Sequence, residues 1–448
     1  MKRRDFFTKV LITGGGLTLG MGCKRRIEPS SAEKSGTIIP VIESHGRTIR
    51  EPERLIPILA ETDVLIIGGG PAGAAAAIAA SRTGAETYLV ERYNHLGGLW
   101  TGGLVLPLLS THGADKQKRR KQVIFGIGGE MSKRLVDLGM SIHEESPVVD
   151  PEAAKYVLEE MIRESGVKML YHTWGANVIM DGNVIKGVYI ESKSGRMAIL
   201  AKVVIDCTGD GDIFHMAGEN YDVMQYAIGL VHRLGNIDRI KTDKPGYVKM
   251  NTGGPTPIPG VNWVNMWGRE NQDALDIENL SQLQSDYRME IWNNVQKIRQ
   301  TPGHEEVFLL DTASQIGVRM SRILDGEYRL TLEDSMTYRS FDDVIGLSGS
   351  WTPVLYKGKK IPSSKRPFWQ IPYRSLLPKL TENLLVAGRC FCFERELVED
   401  GRIIGTCLVT GHGAGTAAGL AVKNNSSVKD IDIKELKKVL IQQGAFLG

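Results

Sequence analysis

The sequence predicts an α/β fold of the Rossmann type, with an antiparallel insertion and a smaller α+β domain set into it. Three observations carry this prediction. An apolar, β-branched run at residues 64–67 leads into a glycine-rich turn and then a strong helix former, AAAAIAASRTG, at 74–84. Residues 176–206 alternate as strands do, with Asp181 and Gly182 as a hairpin signal. Residues 213–370 then break the strand–helix rhythm before an apolar strand returns at 383–387.

The 448 residues are enough for one large interleaved unit or two domains. Composition is that of an ordinary globular chain, 42% hydrophobic and 24% charged. A net charge of +3 gives no warrant for a nucleic-acid surface, and the basic run KQKRRK at 116–121 reads as a solvated loop. The five cysteines, Cys23, Cys207, Cys390, Cys392 and Cys407, include no C-x-x-C pair, so no structural zinc site is expected. Cys390 and Cys392 read as buried thiols.

Residues 1–27 read as an export signal. Lys2, Arg3 and Arg4 precede a weakly apolar, glycine-rich segment too short to span a bilayer. The run Arg3, Arg4, Asp5, Phe6, Phe7 resembles the twin-arginine signature, whose translocon carries folded, cofactor-loaded proteins. The expected location is therefore periplasmic or extracellular, and cytoplasmic if the signal is unused. Cys23 stands where a lipidated cysteine would, but Gly20, Met21 and Gly22 make a poor lipobox, so membrane attachment is not expected. Residues 28–58, poor in apolar side chains, read as a linker.

From residue 59 each element has a reason. The stretch DVLIIGGGPAG at 63–73 spaces Gly68, Gly70 and Gly73 as G-x-G-x-x-G. The first glycine permits a tight turn, the second admits a pyrophosphate to the backbone, and the third lets helix and strand pack closely. A second strand at 87–90 ends in Glu91, placed to accept hydrogen bonds from an adenosine ribose and to disfavour a 2′-phosphate. The turn alone fits NAD or FAD. The pair Gly97 and Gly98 soon after the acid, followed by Gly102 and Gly103, favours FAD, as glycines let backbone lie against a flat ring or pyrophosphate. Residues 151–165 read as a helix with Asp150 as N-cap, Pro151 first and Gly166 as stop. A third strand follows at 168–172. The antiparallel insertion then delivers the chain to KVVIDCTGDGD at 202–212, an apolar strand ending in Thr208 and Gly209.

These motifs, with HLGG at 95–98, QIGVRMSRILDGEY at 315–328, QIPYRSLLPKLTENLLVAGRC at 370–390 and GRIIGTCLVTGHGAGTAAGLA at 401–421, resemble the bacterial FAD-dependent oxidoreductase family. The resemblance spans residues 62–421 and implies a glutathione-reductase-like FAD/NAD(P)-binding fold with FAD held non-covalently. It implies FAD-binding segments at 59–220 and 371–448, the latter including a C-terminal helix, around a substrate or cap domain at 221–370. In related folds an aspartate follows the glycine equivalent to Gly388 and bonds the ribitol; here Arg389 follows, and Asp210 or Asp212 is the candidate to replace it.

A helix opening at Thr410, Gly411, His412 and Gly413 would aim its amides at the flavin pyrimidine. Arg402, in a stretch the family places near the flavin, is a candidate for fixed positive charge or for gripping an anionic substrate. His412 is a candidate flavin ligand or acid–base group, and His95 sits beside the Gly97 turn. Arg319 and Arg322 would share one face if helical, binding a carboxylate or polyol or forming ion pairs. After Phe341, Asp342 and Asp343 the family's aspartate–histidine element is missing from SWTPVLY at 350–356, which leaves the usual substrate site in doubt.

The function this predicts is oxidation of a small organic substrate, an alcohol, sugar or amine, by hydride transfer to flavin N5, with an unidentified electron acceptor. With no second G-x-G-x-x-G for NAD(P)H, the oxidative direction is favoured. The alternatives are a flavin-dependent reductase, a flavin electron-transfer protein without substrate chemistry, and an NAD-dependent enzyme on a related fold.

Overall fold

The computed structural model describes residues 53–448, together with 44, 45, 48, 49 and 51. The expected export signal, Cys23 and most of the expected linker lie outside the described residues. Two compact units divide the chain, Met1–Leu55 and Ile56–Gly448. In the first, strands Ser44–His45 and Thr48–Ile49 pair antiparallel.

The second unit opens with the expected strand–turn–helix–strand: β1 (Ile58–Ile67), α1 (Pro71–Arg82) and β2 (Thr87–Val90). Over its last four residues, Val64 to Ile67, both faces of β1 are buried. Val64 and Ile66 pack on the alanines of α1, while Leu65 and Ile67 pack with Val204, Phe214 and Leu384 on the other side. Burial on both faces is why residues 64–67 read as continuously apolar rather than alternating. Helices α2 (Gly126–Asp137) and α3 (Pro151–Glu164) follow. The Asp150 carboxylate accepts from Glu152 N (3.0 Å) and Ala153 N (2.9 Å), so α3 starts at its expected cap.

Strands β3 (Lys168–Leu170), β4 (Trp174–Asp181), β5 (Val184–Ser192) and β6 (Gly195–Asp206) complete the first half. The main sheet has the order β4-β5-β6-β1-β2-β3. The contacts of β6 with β1, of β1 with β2 and of β2 with β3 are parallel, whereas β4-β5-β6 is an antiparallel meander. One edge of β6 is shared. Its first half pairs with β5, and its last residues, Val204 to Asp206, pair in parallel with a strand from far along the chain.

A second core lies in the middle of the chain. There β7 (Tyr226–Gly229), β8 (Arg269–Gln272) and, beyond α4 (Ile277–Gln300), β9 (Gly317–Val318) form an antiparallel sheet of order β8-β7-β9. Leu283, Tyr287, Ile291, Val295 and Ile298 form the buried stripe of α4 and pack with Ile228, Leu230 and Leu234. Arg319 and Arg322 do not share a helical face. Arg319 follows β9, and Arg322 opens the strand Arg322–Leu324, since this segment pairs with its neighbours as extended chain.

The chain returns to the main sheet as β10 (Leu384–Val386), the strand that takes the free half of β6. A short helix α5 (Val398–Gly401), the long helix α6 (Ile404–Asn424) and α7 (Ile433–Gln442) close the fold. Helix α6 begins at Ile404, well before Thr410, so its first turn is not the expected GHG stretch. Every residue from Ile404 to Ala421 is buried. A helix enclosed on all sides shows no amphipathic stripe, and Thr406, Val409 and Thr410 make it resemble a strand in sequence.

Candidate active site

The turn between β1 and α1 is fixed by backbone contacts. Gly68 has φ +101°, and a Cβ there would lie 2.4 Å from the Cys207 carbonyl oxygen. A Cβ on Gly73 would lie 1.8 Å from Gly68 O, so the helix sits directly on the turn. Gly70 differs. It is the N-cap of α1, and a Cβ on it would meet nothing within 4 Å. Open space therefore faces the start of a twelve-residue helix whose first amides lack intrahelical acceptors.

Glu91, buried at the end of β2, holds this turn. Its carboxylate accepts from Gly69 N (2.6 Å) and Tyr93 N (2.8 Å). Two bonds leave about two of a carboxylate's four acceptor positions open. Gly97 N donates to Gly69 O (2.8 Å), and a Cβ on Gly98 would lie 3.1 Å from Gly70 Cα. The Gly97–Gly98 pair thus backs onto the first turn. In the same loop Trp100 Nε1 is buried without a partner. His95 is buried, with Nδ1 3.1 Å from Leu96 O and Nε2 3.4 Å from Gln315 Nε2; burial lowers its pKa, so it is held neutral inside the loop.

At the end of β6 a residue not singled out from the sequence organises the TGDGD loop. Asp206 is fully buried; Oδ1 accepts from Thr208 N and Oγ1, and Oδ2 accepts from Ile213 N and Phe214 N. Burial raises its pKa to about 6. Its only signal was an acid closing an apolar strand. Thr208 is engaged within this loop, donating to Asp206 and accepting from Asp212 N. Gly209 clears space for Arg389, as a Cβ there would lie 2.6 Å from Arg389 Nη1. Arg389 Nη2 lies 2.7 Å from Asp210 Oδ1, which also accepts from Ser321 Oγ at 2.7 Å. Arg322 bonds Asp210 O (2.9 Å) and Asp212 Oδ1 (3.0 Å). Asp210 is thus the carboxylate set against Arg389, whose Nε is buried and unpartnered. Gly388 N donates to Thr410 Oγ1 (3.1 Å), tying this loop to α6.

The glycines of α6 face protein backbone. A Cβ on Gly411 would lie 2.1 Å from Ala72 O, one on Gly415 2.1 Å from Ala76 O, and one on Gly413 2.5 Å from Ile345 Cδ1. Gly411 and Gly413, expected at a cofactor, are packing positions because the helix begins earlier than its glycines suggest. His412, expected as a catalytic group, is buried with Nε2 2.8 Å from Gln443 Oε1 and with Gly126 against its ring. Burial lowers its pKa to about 4, and it anchors the C-terminal segment.

The true start of α6 lies among charged side chains. Ile403 is its N-cap and offers no side-chain acceptor. Arg402, just before it, donates to Glu399 Oε2 (2.7 Å). Arg366 and Asp400, each about 2% exposed, form an ion pair of 2.5 Å beneath this turn. Asp400 Oδ1 also accepts from Trp351 N (3.3 Å), and burial raises the Asp400 pKa to about 6. Trp351, in the SWTPVLY segment, and Arg366 are the residues of this region that local sequence did not mark. No group of three or more His, Cys, Asp or Glu among the described residues is arranged to hold a metal ion.

The cradle fits an extended dinucleotide. It offers open space at a helix start, a carboxylate with acceptor positions left, and buried unpartnered donors on Trp100 and Arg389. A match to a protein family agrees. The chain matches the FAD dependent oxidoreductase family over residues 63–257 and 231–440. Thiamine thiazole synthase of Methanococcus vannielii is 31% identical over 160 residues, covering 34% of this chain and 57% of that protein. The enzyme of the same name from Saccharolobus islandicus strain L.S.2.15 is 29% identical over 170 residues, 35% of this chain and 58% of that one. The chain thus spans a little over half the length of these relatives. Among solved structures, a geranylgeranyl bacteriochlorophyll reductase-like protein from Thermoplasma acidophilum aligns with a TM-score of 0.44 at 14% identity, over 86% of this chain and 84% of that one. The flavin-dependent monooxygenase PieE, solved with FAD and substrate, aligns with a TM-score of 0.43 at 14% identity, over 82% and 59%. With the family matched along most of the chain and a dinucleotide cradle built from its motifs, this chain belongs to the FAD dependent oxidoreductase family and is an FAD-dependent enzyme.

Proposed function

We propose that the enzyme oxidises a small organic substrate, an alcohol, sugar or amine, at a flavin held in a glutathione-reductase-like arrangement. The observation that carries this reading is the pair of helix starts. Gly70 opens space at α1, and the uncapped start of α6 stands beside Arg402. On this reading Gly68 and Gly73 set the turn, Gly70 and the first amides of α1 receive the pyrophosphate, and Glu91 holds the adenosine ribose. Gly97, Gly98, Thr208, Gly209 and Gly388 line the path toward the flavin. The first amides of α6 and the Arg402 guanidinium supply fixed positive charge at its far end. When bound, the flavin accepts the hydride that substrate oxidation releases.

The segments 59–220 and 371–448 form the cofactor domain of this proposal, and 221–370 the substrate domain. Export through a twin-arginine signal at residues 1–27, with an external electron acceptor, completes it. The signal order in the sequence supports this location.

Anaerobic titration of the yellow holoenzyme with sugars, polyols, primary alcohols and amines tests the reading. Bleaching of the flavin by one class is the expected result. Absence of bleaching by every class, with the flavin still reducible by dithionite, would overturn the oxidative direction in favour of a reductase.

A further inference from the structure

Two distant parts of the chain meet at the start of α6. From the middle sheet come Tyr226 on β7, Trp267 just before β8, and Arg319 just after β9. From the C-terminal part come Glu399 and Arg402. Tight backbone crossings fix the sheet side: a Cβ on Gly229 would lie 1.9 Å from Met266 O, and one on Gly268 1.8 Å from Ile228 O. These contacts present Trp267 to Arg319, whose guanidinium carbon lies 4.2 Å from the indole ring.

The guanidinium donors here outnumber their acceptors. Glu399 is shared, accepting from Tyr226 Oη (2.5 Å) and Arg402 Nη2 (2.7 Å). Among the described residues Arg319 makes no ion pair. Its Nη1 donates to two carbonyls, Ala227 O and Trp267 O, both at 2.9 Å, and its other donors have no protein acceptor. Burial and the neighbouring Arg402 charge lower the Arg319 pKa to about 10, which still leaves it charged at neutral pH. Arg402 Nε is also buried without a partner. Two guanidinium groups with unpaired donors therefore meet beside two carboxylates, Glu399 and Glu270, the latter accepting from Trp267 Nε1, and are walled by Tyr226 and Trp267, whose ring centroids lie 6.3 Å apart. An aliphatic or aromatic skeleton suits these walls better than a hydrated inorganic ion does, and a planar fork suits a carboxylate.

We propose that this junction is the substrate's anion site, where Arg319 and Arg402 grip the carboxylate of a small organic acid whose carbon skeleton lies against Trp267 and Tyr226. The proposal deepens the functional reading above by adding a carboxylate to the alcohol, sugar or amine oxidised there, and rests on it only for the flavin nearby. Glu399 holds Arg402 in place and competes with the substrate for it.

The test uses the full-length holoenzyme with propionate and benzoate as probes, against propionamide and benzamide. Binding is read by calorimetry and by quenching of tryptophan fluorescence, neither of which needs turnover. The expected result is that each carboxylate binds about 10-fold or more tightly than its amide. Arg319→Gln removes that preference, and Arg319→Lys restores part of it. Glu399→Gln frees Arg402 and tightens carboxylate binding, a direction that misfolding cannot produce. The proposal is overturned if neither carboxylate outbinds its amide or if Arg319→Gln, folded by circular dichroism, keeps the preference. Unchanged or weaker binding in Glu399→Gln removes Arg402 from the site. A carboxylate preference in a chain that retains no FAD would sink the flavin reading and leave this site standing; bound FAD without the preference does the reverse.

Discussion

Helices α1 and α6 run side by side, yet they begin in opposite ways. The start of α1 is made of backbone: Gly68 and Gly73 pack tightly, and Gly70 opens a space. The start of α6 is made of side chains gathered from elsewhere, with the Arg366–Asp400 pair beneath it and Arg402, Glu399 and Arg319 around it. The contrast teaches that a ligand site can be written locally, as a run of glycines, or assembled, as charges that meet only in the fold.

The largest effect is expected where the assembled start is cut. Arg366→Ala leaves Asp400 buried without its counter-charge, which costs about 3–5 kcal/mol. Urea unfolding of the holoenzyme measures it, and a loss below about 1 kcal/mol would mean that the pair does not hold this turn. Next comes the crossing that the two helices share. Gly411→Val drives a side chain into the Ala72 backbone and costs about 2–3 kcal/mol by the same measurement. If Gly411 instead faced the cofactor, FAD affinity would fall with little loss of stability.

An effect of similar size at pH 4.5, but absent at neutral pH, comes from His412. Its folded pKa of about 4 lies below the ordinary 6.5. Below pH 6.5 the unfolded chain takes up a proton that the folded chain refuses. Stability from this group is therefore complete above pH 6.5 and falls by about 1.4 kcal/mol per pH unit down to about pH 4. His412→Gln should flatten that part of the curve, as read by thermal unfolding at pH 4.5, 5.5 and 7. The smallest effect on stability, within about 0.5 kcal/mol, is expected at Gly70→Ala. Its added methyl meets no protein atom, yet it enters the space before α1, so FAD retention on gel filtration should drop sharply. Retention equal to the wild type would remove Gly70 from the cradle.

The same contrast explains what the sequence could show. The β1–α1–β2 unit, the Asp150 cap, the Asp181 hairpin and the return strand near 383–387 were legible because each depends on neighbours in the chain. The start of α6 was not, since burial on all sides erased the periodicity that marks a helix. Gly411 and Gly413 then read as a helix start facing a ligand, although their lack of side chains serves helix contact. Arg319 and Arg402 were noticed separately as candidates, but nothing local links them. Their meeting depends on how β7, β8 and β9 dock against α5. Asp206, at the end of an apolar run, and Arg366, in the polar stretch SSKRP at 363–367, gave no sign of the turns they support.

The shared edge of β6 has a consequence for how the enzyme is made. Its last residues find their partner only in β10, close to the end of the chain. Until ribosomal synthesis passes residue 386, Val204, Ile205 and Asp206 present an unpaired edge, and the loop carrying Thr208 and Gly209 lacks Arg389 and α6. Such long-range closure is slow and leaves the nascent chain exposed to mispairing. In the proposed arrangement, the FAD path through Thr208, Gly209 and Gly388 is complete only once β10 and the segment after it have joined β6.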